Sequence, residues 1–169
     1  MFVRITPEAG ELNLHVRIGG PPGAPVLVLL HALGTNQAVW DAQAAALAGA
    51  FRVVRPDMRG HGLTETTPGP YSMDLLARDV LALLDLMGVE AAHIGGLSIG
   101  GMIAQKIAAI APDRVLSLVL CDTAMAIPTP QSWRVRAAAV RAGGMAAVAD
   151  AVLARWVTPD FIAAPAAQG

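Results

Sequence analysis

Residues 92–101, AHIGGLSIGG, decide how this sequence is read. An apolar run ends at Leu97, a serine follows at 98, and glycines stand two positions away on either side, at 96 and 100. This G-x-S-x-G arrangement marks a sharp turn from strand into helix that holds the serine out at its apex. The small residues have a steric reason: the backbone at the apex is strained, and strand and helix must pass closely on either side of it. Five residues alone carry little specificity, so the flanks matter. Ala92 to Leu97 reads as a strand and Ile99 to Ala111 as a helix, which is the context the turn requires. Neither phosphate-binding glycine pattern, G-x-x-x-x-G-K-S/T or G-x-G-x-x-G, is present.

Working outward, Val26 to Leu30 is a continuous apolar run of the kind found in central strands covered on both faces, and Val115 to Cys121 reads as another apolar strand. Phe51 to Val54 begins a shorter strand ended by Pro56. Thr35 or Asn36 can cap a helix from about Gln37 to Leu47. Ser72 can cap another, in which Leu75, Leu76, Val80, Leu83, Leu84 and Met87 recur at helical spacing and Gly88 lies just past the end. Nearer the N-terminus, Phe2 to Ile5 and Leu12 to Ile18 alternate apolar and polar residues, which predicts an antiparallel pair. Strand and helix then alternate as far as Cys121, predicting an α/β class: a mostly parallel sheet with flanking helices. Beyond Thr123, prolines at 128 and 130 precede helical patterns at Trp133 to Ala142 and Met145 to Trp156. The chain thus divides into a core, 1–124, and the start of a helical insertion, 125–169, whose tail from Phe161 to Gly169 has little to hold it.

The totals agree. A chain of 169 residues, 54% hydrophobic and 15% charged, can bury one apolar core and is too ordered in character for a disordered segment. The net charge is -1 and the twelve basic residues are scattered, so nucleic acid is not an expected partner. Cys121 has no second cysteine to pair with, the first ten residues lack an apolar signal core, and no run approaches the roughly 20 residues needed to span a bilayer. A cytoplasmic protein without a membrane anchor is the expectation.

Ser98 is the candidate nucleophile. Its attack on an ester carbonyl generates an oxyanion that two backbone N–H groups can stabilise. Ile99 supplies the first by its position. Leu33, in the loop directly after the strand Val26 to Leu30, is the expected second. The histidines fit this chemistry poorly. His31 reads as a strand-end residue bonded locally, with a role as general base the lesser alternative. His61 sits in the glycine-flanked turn Asp57 to Gly62, where Asp57 and Arg59 are expected to fix the loop by local bonds. His93 lies on the serine's own strand and His15 on the N-terminal hairpin.

The segments Leu30 to Trp40 (LHALGTNQAVW), Arg55 to Gly62 (RPDMRGHG), Pro68 to Tyr71, His93 to Gly101 (HIGGLSIGG) and Ser117 to Ala124 (SLVLCDTA) resemble the α/β-hydrolases of the 3-oxoadipate enol-lactonase type. Ala139 to Trp156 is similar to the start of that group's helical cap. The resemblance spans nearly the whole chain. It implies the N-terminal portion of an α/β-hydrolase fold, and cofactor-free, metal-free hydrolysis of a small lactone or ester, the enol-lactone of aromatic-compound catabolism being the leading substrate. In that chemistry a histidine takes the proton of Ser98 and an acid orients the histidine. The substrate's carboxylate makes Arg134, Arg136 and Arg141 of the cap candidate contacts, against a plain role as solvent-facing helix charges.

The sequence departs from the family in one respect: no histidine follows Ser98, although the usual order is serine, acid, histidine. Asp122, at the end of the strand after the serine's helix, is the one acid placed to serve. A fragment, a natural truncation and one half of a split enzyme completed by a partner chain that supplies acid and histidine all account for this. The rival readings are another small-molecule esterase or C–C bond hydrolase of the same fold, and a non-catalytic chain that binds a ligand or a partner. Dehalogenase and epoxide hydrolase readings are disfavoured by a serine where those enzymes carry an aspartate.

Overall fold

In a computed structural model that describes residues 1–8, 10–126 and 129–163, the apolar runs become strands of a single sheet. These are β1 (Phe2–Ile5), β2 (Leu12–Gly19), β3 (Val26–Leu30), β4 (Arg52–Pro56), β5 (Ala92–Leu97) and β6 (Val115–Cys121), in the spatial order β1-β2-β4-β3-β5-β6. β2 runs antiparallel to both β1 and β4; β4, β3, β5 and β6 are mutually parallel. The helices of this part are α1 (Asp41–Leu47), α2 (Met73–Leu86) and α3 (Ile99–Ile110). The expected α/β-hydrolase arrangement of a mostly parallel sheet with flanking helices is thus realised.

β3 is buried at all five positions, and its alternation separates two layers. Val26, Val28 and Leu30 pack with Leu76, Val80, Leu83 and Leu84 of α2 and with Ile103 and Ile107 of α3. Leu27 and Leu29 face the other way, onto Trp40 and Ala44. Side chains such as Leu84 and Ile103, with no exposed surface, each hold the layers together by about 2–5 kcal/mol on the scale of truncation to alanine. β6 is different. It lies at the sheet edge, and Leu116, Val119 and Leu120 on it are 58%, 52% and 45% exposed.

Two compact units are distinguished, residues 1–126 and 127–169. In the second, α4 (Pro130–Gly143) and α5 (Ala146–Trp156) pack together and bury Val148, and a short α6 (Pro159–Ala163) follows. Pro130 opens α4, where a missing N–H costs nothing. Pro128 lies outside the described residues.

Three local expectations need correction. The helix expected from Gln37 to Leu47 begins as a 3₁₀ turn, Gln37–Trp40, with α1 starting at Asp41. Its start is fixed from outside, because the Asp57 carboxylate accepts from Gln37 N–H at 2.8 Å while Asn36 caps Ala38 N–H at 2.9 Å. Next, Phe161 to Ala163, for which a loose tail is expected, belong to α6, where Thr158 Oγ1 accepts from Phe161 N–H at 3.2 Å; 164–169 lie outside the described residues. Finally, Asp57 and Arg59 bond far along the chain as well as locally. Among the described residues no helix is long and apolar enough to cross a membrane.

Candidate active site

β4 joins β3 on one side and β5 joins it on the other, so the chain leaves the ends of β3 and β5 in opposite senses. In open parallel sheets this reversal opens a crevice at the carboxyl ends of the two strands. The loop after β3 carries His31 to Asn36, and the turn after β5 is Ser98.

Ser98 has φ 55 and ψ -117, a left-handed backbone that costs a non-glycine residue energy. Two glycines permit it. A Cβ on Gly96 would lie 2.2 Å from the carbonyl carbon of Gly100, and one on Gly100 would lie 2.3 Å from the Leu30 carbonyl oxygen and 2.8 Å from that of His31. The first turn of α3 therefore abuts the start of the loop that carries Leu33. The end of β6 and the segment after it hold the turn from the other side: Ser98 N–H donates to the Cys121 carbonyl at 2.9 Å, and Thr123 Oγ1 donates to the Ser98 carbonyl at 2.6 Å. Ile99 is the first residue of α3, so its N–H has no partner within the helix. Neither Ile99 N–H nor Leu33 N–H donates to another described residue.

Every histidine is engaged elsewhere. His31 is fully buried; Nδ1 faces the Ala32 carbonyl at 2.9 Å, and Nε2 accepts from Met58 N–H at 2.9 Å. Burial holds its pKa below the ordinary value. His61 Nδ1 donates to the Arg59 carbonyl at 3.1 Å, and its ring meets that of His31 edge-on, with centroids 5.2 Å apart. His93 bonds Ser117 Oγ on the neighbouring strand at 2.8 Å. His15, unremarkable in the sequence, donates from Nδ1 to the buried Asp57 carboxylate at 2.8 Å and lies against the Phe2 ring.

Asp57 is the centre of this arrangement. Burial pushes its carboxyl pKa up, but N–H bonds from Gln37 and Leu63 and the His15 ring outweigh that and hold it below the ordinary value. Arg59 forms a buried two-point pair with Asp79 of α2, at 2.8 Å and 2.6 Å, and also reaches Thr67 Oγ1. The bond to Asp79 raises the guanidinium pKa despite burial. Sequence reading missed these partners because 42 residues separate His15 from Asp57 and 20 separate Arg59 from Asp79.

Asp122 immediately precedes Thr123. Its side chain is exposed, its φ is 41, and it accepts no hydrogen bond from a described residue. Arg134, Arg136 and Arg141 all lie on α4 in the second unit. Arg134 and Arg141 are exposed; Arg136 is half-buried with its guanidinium 5.5 Å from the centre of the Trp133 ring. Trp133, Arg136, Val148 and Arg155 line an open cleft of about 420 Å³ between α4 and α5.

Comparison with known proteins places this geometry among relatives. A family model described as the alpha/beta hydrolase fold matches residues 25–153. The chain is 36% identical over 157 residues to 3-oxoadipate enol-lactonase 2 of Acinetobacter baylyi, covering 93% of this chain and 59% of that protein. The crystal structure of the enol-lactonase from Burkholderia xenovorans superposes with a TM-score of 0.89 at 42% identity, over 95% of this chain and 62% of that one. A malate-bound thermophilic esterase from Thermogutta terrifontis superposes with a TM-score of 0.85 at 34% identity, over 92% of this chain and 58% of that one. The chain spans about three fifths of the length of each of these three relatives.

Proposed function

The chain belongs to the α/β-hydrolase fold family, and from that premise we propose that it carries the nucleophile and oxyanion-binding part of a serine carboxylic-ester hydrolase. Ser98 attacks the carbonyl of a small lactone or ester, and Ile99 N–H and Leu33 N–H receive the developing oxyanion. The observation that carries the reading is the backbone of Ser98: a left-handed serine at a strand-to-helix turn, permitted by two glycines and tied by Cys121 and Thr123. A strained residue held from several sides is characteristic of sites where geometry serves chemistry. The identities of 36% and 42% to enol-lactonases favour an enol-lactone substrate of the 3-oxoadipate type. The esterase relative keeps a more general small-ester substrate as the second reading.

The histidine that would relay the proton of Ser98, and its orienting acid, we assign to further polypeptide, a continuation of this chain or a complementing partner; Asp122 is the internal candidate for the acid. Arg134, Arg136 and Arg141 of α4 are the candidate contacts for a substrate carboxylate. The test is labelling by a fluorophosphonate probe, with enol-lactone turnover followed in the same preparation, on the wild type and on Ser98→Ala, each joined to the polypeptide that supplies histidine and acid. Labelling and turnover that both vanish in Ser98→Ala support the reading. A folded wild-type chain that turns over the lactone equally well after Ser98→Ala overturns it.

A further inference from the structure

The loop between β3 and α1 is gripped at both ends by two consecutive residues, Asp57 and Met58. At its start, Met58 N–H donates to His31 Nε2 at 2.9 Å; at its end, Gln37 N–H donates to Asp57 Oδ1 at 2.8 Å. Leu33 lies between the two grips. The partners of the His31 ring fix its chemical state. A backbone N–H can only donate, so Nε2 carries no proton; the Ala32 carbonyl can only accept, so Nδ1 carries one. Thr35 Oγ1, which itself donates to the Ala32 carbonyl at 2.8 Å, stands 3.3 Å from Nδ1 and completes the inner side of the loop. Both nitrogens are occupied, the residue has no exposed surface, and the groups facing it from the adjoining turn are His61 and Asp57.

We propose that His31 is a positioning residue: held as the neutral Nδ1–H tautomer, it sets the loop that presents Leu33 N–H to the oxyanion, and it does not act as a base. The assignment to an oxyanion rests on the hydrolase reading above; the brace itself is independent of it. Protonating Nε2 would turn two donors toward each other, so the ring cannot take the proton of a nucleophile without releasing Met58. The position thus holds the loop at the expense of general-base chemistry.

The experiment is nitrogen NMR of the imidazole rings in the 169-residue chain, together with amide hydrogen exchange at Met58 in the wild type, His31→Gln and His31→Phe. We expect a pyridine-type Nε2 and a pyrrole-type Nδ1 for His31 in the folded wild type at neutral pH. Exchange at Met58 should be about tenfold faster in His31→Phe, which keeps bulk and loses the acceptor. It should return toward wild type in His31→Gln, whose side-chain oxygen can accept from Met58. A protonated Nε2 at neutral pH, or a wild-type exchange rate in folded His31→Phe, overturns the proposal. If His31→Phe does not fold, the ring spectrum of the wild type decides alone. Absence of turnover and labelling even with the polypeptide that supplies histidine and acid present, together with the expected spectrum, would sink the hydrolase reading and leave the brace standing.

Discussion

Thr123 Oγ1 donates to the carbonyl of Ser98 at 2.6 Å across 25 residues of sequence, so the strained turn is anchored by the segment just past β6 as well as by its own strand. The Thr123 side chain also fills the space beside Gly101: a Cβ there would meet its atoms at 2.6–2.7 Å. Thr123→Val keeps that shape and loses the bond. It should lower stability by about 1–2 kcal/mol in urea denaturation, and Thr123→Ser should recover most of the loss. Equal midpoints for wild type and Thr123→Val would show that the bond contributes nothing to holding the turn.

At position 98 itself the usual ranking of glycine and alanine should reverse. Glycine ordinarily destabilises by enlarging the unfolded ensemble, but φ 55 penalises any Cβ. Ser98→Gly is therefore expected to be about 1–2 kcal/mol more stable than Ser98→Ala, while neither binds a fluorophosphonate covalently. Should the alanine variant prove as stable as the glycine one, the backbone must relax once the serine is gone, and Gly96 and Gly100 do not impose the conformation.

The Arg59–Asp79 pair has side chains only 3% and 6% exposed. Removing one partner strands a buried charge, so Arg59→Met alone should cost about 3–5 kcal/mol, whereas Arg59→Met combined with Asp79→Leu should recover much of that. A double-mutant cycle by equilibrium denaturation reads the coupling. Additive losses would mean that water reaches the pair.

Acid should destabilise the fold in two stages. Burial lowers the His31 pKa beneath its ordinary 6.5, so below that pH the unfolded chain binds a proton that the folded chain refuses. Stability then falls with falling pH. Asp57, held below its ordinary 3.8, contributes stability above that value and loses it as pH falls through its folded pKa. Urea midpoints measured against pH should show His31→Gln lacking the upper stage and Asp57→Asn lacking the lower. An unchanged upper stage in His31→Gln would place its origin in another group.

Much of this was legible in the sequence because it was local. The apolar runs at 26–30, 92–97 and 115–121 are the strands themselves. Ser72 caps α2 by accepting from Leu75 N–H, as its place before the helical repeat predicts. The serine turn was recognisable from five residues, of which Gly96 answers a contact within the segment, while the need for Gly100 comes from the distant Leu30 and His31 carbonyls. What escaped notice was long-range. Alternation along β2 predicts His15 on the polar face with Asn13 and Arg17, yet it is buried, because Asp57 bonds its ring and Thr64 Oγ1 accepts from its backbone N–H. No periodicity within one strand carries that information, since the covering groups come from a turn more than 40 residues away.

The double grip of Asp57 and Met58 also makes the span from His31 to Gln37 a ruler of set length. Its ends are tied to adjacent residues of one rigid turn, so its residue count is matched to a gap that cannot stretch. One residue inserted between Leu33 and Asn36 must give up a tie or buckle. Any remodelling of the crevice by grafted loops has to respect that count before it considers the identity of a single side chain.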